Sequence, residues 1–302
     1  MVERVFITGV GATSPVGLSI DETWSNLTKG VSGVDTISSF DPEGYETTFA
    51  AEATGFDPET YVDKKQARRM DRFVQLAAAA SLEAFESSGL SINESNADRV
   101  SVMVASGIGG IITLSDQIGV LNNRGPNRVS PFLVPMMLPD MASGQVSMLL
   151  GAKGANYCTV SACASGADSI GMAFEAIRRG DVDAAVTGGA EAAICPVGVA
   201  GFNACQALSK RNDDPKTASR PFDIDRDGFV LGEGAGVLVL ESQTSMEARG
   251  AEPIAEMIGY GATADAYHIT QPGPEGEGGA RAMNMALSKA NIAPEEIDYI
   301  NA

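Results

Sequence analysis

Residues 154–166 read Gly-Ala-Asn-Tyr-Cys-Thr-Val-Ser-Ala-Cys-Ala-Ser-Gly, and the rest of the chain is interpreted outward from them. The apolar run Tyr157–Val160 predicts a buried strand. It ends in small residues, and a helical pattern follows from Ala164 to Arg179, with Gly180 placed as its C-cap. Cys163 is therefore expected where a strand turns into a helix. Unpaired N–H groups and the positive end of the helix dipole favour a thiolate there over a thiol. Ala162, Ala164 and Gly166 are small enough to let a substrate approach the sulfur. Apart from Asp168 the helix carries no charge before Glu175, and its small residues predict close packing in a core. An arbitrary cysteine is more often a buried structural residue. Position and neighbours here favour a nucleophile.

The flanking sequence alternates strand and helix patterns. Val2–Gly9 reads as a first strand, and Ser19-Ile-Asp-Glu22 as a capping box opening a helix with Trp24 and Leu27. Residues 31–56 are turn-rich and predict surface loop. A long helix is expected from about Pro58, through Ala77–Ala80, to Ser87, with Gly89 ending it. Val100–Ala105 reads as a strand before the loop Gly107–Gly110, and Asp140–Leu150 as a helix. Asp183–Thr187 and Gly234–Glu241 are further strands. This order predicts an α/β fold with a mostly parallel sheet and helices on both faces. From Pro253 the order restarts: Ile254–Ala264 as strand, Glu275–Ala290 as helix, Ile297–Asn301 as strand. No residue-level repeat is apparent, yet the element order implies two similar halves, a complete one over 1–250 and the start of a second over 251–302.

Composition narrows the function. With 21 basic against 39 acidic residues the net charge is −18, which argues against nucleic-acid binding. Four cysteines without CxxC spacing and one histidine support neither a disulfide framework nor a metal site. No signal peptide is visible, and the longest uncharged run, Ala192–Ser209, is interrupted by Pro196, Gly198, Gly201 and Asn203, so no membrane span is expected. A reducing cytoplasm is the expected compartment. Gly9-Val-Gly11 is followed by Gly17 rather than by a glycine at 14, so the dinucleotide fingerprint fails.

Three further features stand out. Lys64, Lys65, Arg68, Arg69 and Arg72 fall at spacings of three and four, expected on one helix face. Positive charge early in a helix opposes its dipole, so the patch is either a solvated face or a receiver of an acidic partner. Ser219–Gly236 mixes Arg220, Asp223, Asp225, Arg226 and Asp227 with turn residues, and reads as a hydrogen-bonded scaffold. His268 lies in a Gly/Pro-bounded loop, as a base for Cys163 or as a binding or structural group.

The Cys163 turn, Thr187-Gly-Gly-Ala-Glu191, Gly198–Ser209, the SRPFD and DGFVLGEGAG runs within Ser219–Gly236, and Asp265-Ala-Tyr-His268 occur in this order. Together they resemble the β-ketoacyl-acyl carrier protein synthases, closest to the type II chain-elongating enzymes of fatty acid synthesis, over essentially all 302 residues. Thiolases share a cysteine at such a turn, but the SRPFD and GEGAG blocks are those of the synthases.

The resemblance implies a thiolase-like fold, layered αβαβα, in a cytoplasmic homodimer. It implies acyl transfer from a carrier protein to Cys163, then decarboxylation of malonyl-carrier protein and carbanion attack on the thioester, with no metal or redox cofactor. Ile108 resembles the residue bounding the acyl pocket; Phe202, His268 and Thr270 resemble groups lining the approach to the sulfur. Lys65, Arg68, Arg69 and Arg128 match the surface that receives the acyl carrier protein, with Gln206 where many relatives carry arginine. The family's two further histidines would follow Tyr299-Ile-Asn-Ala302. The resemblance therefore leaves two expectations: a synthase cut before those histidines, with a complete N-terminal half and an incomplete C-terminal half, or a truncated non-catalytic homologue that binds acyl chains or pairs with a complete synthase.

Overall fold

The computed structural model describes residues 2–301; Met1 and Ala302, the last residue of the Tyr299–Ala302 match, lie outside them. In chain order the elements begin with β1 (Val5–Thr13), α1 (Ile20–Thr28), β2 (Val34–Thr36), β3 (Phe49–Ala51), α2 (Lys64–Ala67) and α3 (Arg72–Ser88). Then come β4 (Val100–Ala105), α4 (Ile111–Arg124), α5 (Leu133–Met137), α6 (Met141–Leu150) and α7 (Ser165–Arg178). The remainder is β5 (Ala184–Glu191), α8 (Pro196–Ala204), β6 (Gly234–Ser242), α9 (Gln243–Ala248), β7 (Ala255–Met257) and α10 (Glu277–Ala290).

One five-stranded sheet runs in the order β4-β5-β6-β1-β7. Side chains alternate along each strand, as the two-residue period demands. Val102 and Val104 of β4, Val186 of β5, and Val237 and Val239 of β6 pack toward α3 and α6. Met103, Ala185 and Leu240 point the other way, against Phe174 and Ile177 of α7. Helices therefore cover both faces, and all of β4 is buried.

The sheet is not mostly parallel. Only β4 and β5 pair in parallel; β5–β6, β6–β1 and β1–β7 are antiparallel. The reason lies in the excursion after β5. Glu191, its last residue, pairs with Gly234, the first of β6. The chain thus leaves and re-enters the sheet at one end, and a strand that returns at the same end must run back.

Several expected boundaries move. The long helix is two: Asp63 caps α2 through Lys65 N and Gln66 N, and Asp71 caps α3 through Phe73 N. Gly89 ends α3 in a left-handed conformation, as expected. Residues 31–56 are not simple surface loop, since β2 pairs with β3 and Ile37, Phe49, Ala50 and Phe56 are buried. Tyr157–Val160 is no buried strand: among the described residues the nearest pairing is a bridge from Asn156 to Val102, and Val160 is 59% exposed. Likewise Ile297–Asn301 pairs with nothing among the described residues.

After Pro253 the chain gives a short strand, β7, and a helix, α10, and one short motif of the first strand returns there. Gly9-Val-Gly-Ala-Thr13 returns as Gly259-Tyr-Gly-Ala-Thr263. A Cβ on Gly9 or Gly11 would stand 2.1 Å from the carbonyl of Ala84 or Ala80 in α3. A Cβ on Gly259 or Gly261 would stand 2.4 or 2.1 Å from the carbonyl of Ala286 or Ala282 in α10. Both segments lay two glycines, two residues apart, on two alanines one helical turn apart. Only Ala255–Met257 of the second segment forms a strand, because β1 offers it just Val5–Ile7 for pairing.

Candidate active site

The carboxyl ends of the parallel strands β4 and β5, where α/β sheets place their ligands, meet the turn before α7. Cys163 occupies a single 3₁₀ turn, Ala162–Ala164, leading into that helix. Ala162 takes φ 52, a left-handed conformation rare for a residue with a side chain. The surroundings hold it there. Ser165 Oγ donates to Ala162 O at 2.7 Å and accepts from Ser161 N at 2.9 Å, while Thr159 Oγ1 donates to Ser165 O at 2.9 Å. Ser161 Oγ also donates to Asp168, whose other oxygen accepts from Tyr260 Oη at 2.7 Å. No side chain caps α7, and Asp168 is the one acidic residue in its first turn.

Close backbone approach sets the position of α7. A Cβ on Gly189 would lie 2.9 Å from the Cα of Gly166, so the strand and the helix touch backbone to backbone. On its outer side Gly171 leaves room for the ring of Tyr260.

Cys163 opens onto a cavity of ≈ 580 Å³ walled by Ile108, Phe202, Phe229, Leu231 and Ala193. Phe202 and Phe229 meet edge to face with centroids 5.4 Å apart. The volume is in the range of sites that enclose small molecules, and the lining is mostly apolar. The other cysteines are placed differently. Burial pushes the thiols of Cys158 and Cys195 up, keeping them protonated. Cys205 is exposed at the end of α8 and away from this lining.

Ile108 is held on the loop after β4 by Glu191. Its Oε2 accepts from Gly107 N and Ile108 N, both at 3.0 Å, and its Oε1 accepts from Ser106 Oγ at 3.1 Å. Desolvation pushes the Glu191 carboxyl above its ordinary value, against the opposing pull of these hydrogen bonds.

Cys163, Ile108 and Phe202 thus come together, whereas His268 and Thr270 do not join them. Both are exposed on a loop that closes on itself: His268 Nδ1 accepts from Thr270 N and Gln271 N at 3.2 Å, and Asp265 accepts from Gly273 N. Phe229 and Glu191 lie inside the quoted DGFVLGEGAG and TGGAE runs yet were not singled out. Their signal was position: Glu191 ends β5 just after Gly188-Gly189, and Phe229 follows Gly228 at a bridge to Leu208 ahead of β6.

The basic residues divide. Arg72 turns inward to Glu233, 2.8 Å away, and over the Phe56 ring, so it leaves the expected face. Lys65, Arg68 and Arg69 line a shallow recess with Phe132, over which the Arg69 guanidinium stacks at 4.5 Å. Arg128 does not line that recess. Among the described residues none of these four forms an ion pair, on a chain of net charge −18. Gln206 instead donates to Asn203 O and accepts from Lys210 Nζ, itself paired with Glu46. No helix among the described residues is long and apolar enough to cross a membrane.

A thiol at an uncapped helix N-terminus, facing an apolar cavity, is the equipment of an enzyme that holds acyl chains as thioesters. Comparison with known proteins agrees. Residues 2–245 match the family model "Beta-ketoacyl synthase, N-terminal domain", and residues 254–302 match "Beta-ketoacyl synthase, C-terminal domain". The chain belongs to the beta-ketoacyl synthase family. It is 55% identical over 300 residues to 3-oxoacyl-[acyl-carrier-protein] synthase 2 of Staphylococcus aureus (strain COL), covering 99% of this chain and 72% of that protein. A beta-ketoacyl synthase from Burkholderia phymatum STM815 superimposes with TM-score 0.91 at 36% identity, over 99% of this chain and 73% of its own. A type II polyketide ketosynthase, solved with its acyl-carrier protein and bound to a hexaketide, superimposes with TM-score 0.86 at 30% identity, over 100% of this chain and 73% of that one. The fold is the layered thiolase-like fold of the ketosynthases.

Proposed function

We infer that the chain is a 3-oxoacyl-[acyl-carrier-protein] synthase of fatty acid biosynthesis, an acyltransferase that carries its acyl intermediate on Cys163. The observation that carries this reading is the apolar cavity of ≈ 580 Å³ opening on an exposed cysteine at the start of α7. The thiolate attacks the carbonyl of an acyl thioester, the tetrahedral intermediate collapses, and the carrier protein's thiol leaves. N–H groups at the helix N-terminus stabilise the oxyanion as it forms. The chain then lies along Ile108, Phe202 and Phe229. Malonyl-carrier protein loses carbon dioxide, and its carbanion attacks the Cys163 thioester to give the 3-oxoacyl product and the free thiolate.

The acyl carrier protein docks on Lys65, Arg68 and Arg69, and Arg128, outside the recess they line, is a further basic contact for it. What supports this is that, among the described residues, none of the four forms an ion pair on an otherwise acidic chain. The family resemblance alone assigns His268 and Thr270 to the approach to the sulfur, since neither lines the cavity. The two units divide near residue 250, where the paired-glycine pattern restarts. A homodimer is supported by Tyr157 and Val160, which lie exposed on a segment holding a single bridge to the sheet. The compartment is the cytoplasm. The 55% identity to a 3-oxoacyl-carrier protein synthase favours this reading over a non-catalytic acyl binder.

Intact-mass measurement after incubation with acyl-carrier protein tests it. The wild-type chain should gain one acyl group and Cys163→Ala none. Acylation of the Cys163→Ala chain overturns the assignment.

A further inference from the structure

The loop from Ser106 to Gly110 carries Ile108 into the cavity, and three of its N–H groups find side chains instead of backbone carbonyls. Gly107 N and Ile108 N donate to Glu191 Oε2, and Gly109 N donates to Ser106 Oγ at 2.8 Å. Ser106 Oγ in turn donates to Glu191 Oε1. One carboxylate therefore holds the whole near side of the loop. The far side is fixed by backbone: a Cβ on Gly110 would stand 2.1 Å from Met136 O, and one on Gly109 would stand 2.8 Å from Met137 O. Ile108 sits between these two anchors and remains 38% exposed. Glu191 has no cationic partner among the described residues, and every donor it meets is neutral. A half-buried carboxylate without a counter-ion is a costly way to hold a loop unless its several acceptor sites are needed at once.

We propose that Glu191 is a positioning residue that sets where Ile108 stands and so limits the length of acyl chain accepted on Cys163. The proposal rests on the synthase reading and deepens it. Glutamine at 191 presents one neutral acceptor oxygen; turned toward Gly107 N and Ile108 N, it places its NH2 against Ser106 Oγ, so the loop's hydrogen bonds lose their charge assistance and the Ser106 O–H loses its acceptor. The near anchor of the loop then weakens, Ile108 withdraws, and the end of the pocket opens.

The test measures single-turnover acylation of the 302-residue chain by four-carbon and twelve-carbon acyl-carrier proteins. Loss of a charge-assisted hydrogen bond predicts that Glu191→Gln raises the twelve- to four-carbon rate ratio by about tenfold. Glu191→Asp, which keeps the carboxylate, should move it less. Ile108→Ala should raise the same ratio, and adding Glu191→Gln to it should change nothing further, because the two act through one side chain. Should Glu191→Gln fail to fold, Ser106→Ala removes one arm of the clamp and must shift the ratio in the same direction. An equal fall for both chain lengths, or additive effects of Glu191→Gln and Ile108→Ala, overturns the proposal. A wild-type chain that takes no acyl group overturns the synthase reading itself. A wild-type chain that is acylated while the ratio stays fixed in Glu191→Gln overturns only the role of Glu191.

Discussion

Gly189 lies in β5 where the strand passes beneath the first turn of α7, and alanine there perturbs the nucleophile without touching it. A Cβ at 189 would stand 2.9 Å from Gly166 Cα, whereas ordinary contact is 3.4–4 Å. It would also meet Gly166 N at 3.5 Å and Ala105 O at 3.6 Å, so retreat toward β4 is blocked. The obstacle is backbone on every side, and no side chain can rotate away. The start of α7 must therefore withdraw by about 0.5–1 Å, carrying Cys163 with it. Overpacking of this kind costs about 1–3 kcal/mol of stability, and a displacement near 1 Å at a reacting atom slows chemistry by up to about 10²-fold. Single-turnover acylation followed by intact mass should show a fall of about 10- to 100-fold. Urea unfolding on the same preparation should show the stability loss. Gly236→Ala is the control. Gly236 lines the same cavity, yet a Cβ there meets nothing within 4 Å, so stability should stay within about 0.5 kcal/mol of the parent. If Gly189→Ala acylates within about twofold of the parent, the backbone contact does not position Cys163 and the reasoning fails.

Other outcomes follow from the same structure. Arg68→Glu with Arg69→Glu should slow acylation from carrier protein at low salt, the deficit shrinking as salt rises; an unchanged low-salt rate removes the recess from the docking surface. Arg249 pairs with Glu241, which is fully buried and also accepts from Thr8 Oγ1. Arg249→Met leaves that carboxylate uncompensated and should cost about 3–5 kcal/mol by urea unfolding, while Arg249→Met with Glu241→Met should cost less than the single change; a single-mutant loss below about 1 kcal/mol contradicts this. Burial, aided by the hydrogen bond to Asp168, pushes the Tyr260 phenol up to about 12. The folded chain then holds that proton more tightly than the unfolded one, so the stabilisation is complete below pH 10.0 and is lost as pH rises toward 12. Melting temperature against pH should fall through this window in the parent but less in Tyr260→Phe, and parallel curves would exclude the contribution.

Much of this was legible in residues that act locally. The turn at Cys163 was readable because a run of small residues before a helical pattern constrains the backbone in only a few ways. The β4 boundaries, Val100–Ala105, and the left-handed cap at Gly89 followed from β-branched alternation and glycine conformational freedom. Local reading failed where two local signals compete. The segment from Pro58 to Ser87 has a continuous helical pattern, yet Asp63 and Asp71 offer caps inside it, and caps took precedence over pattern. Tyr157–Val160 has the composition of a strand but finds no neighbour to pair with, and a strand exists only by pairing.

The sequence by itself determined the class of chemistry and the family, and singled out Cys163 as the candidate nucleophile, because each is written in side chains at fixed short spacings. Only the tertiary structure decided which distant residues share the cavity. Phe202 and Phe229 meet across it, while His268 and Thr270 stay outside on a loop that satisfies its own hydrogen bonds. It also decided the direction of β6, through an excursion that leaves and re-enters the sheet at the same end. The role of Glu191 belongs to the same class. A carboxylate after two glycines says nothing locally, and its three donors lie more than eighty positions away in the chain. Such contacts are selected by the burial of whole strands and helices against one another, a sum over the chain that no short window of sequence contains.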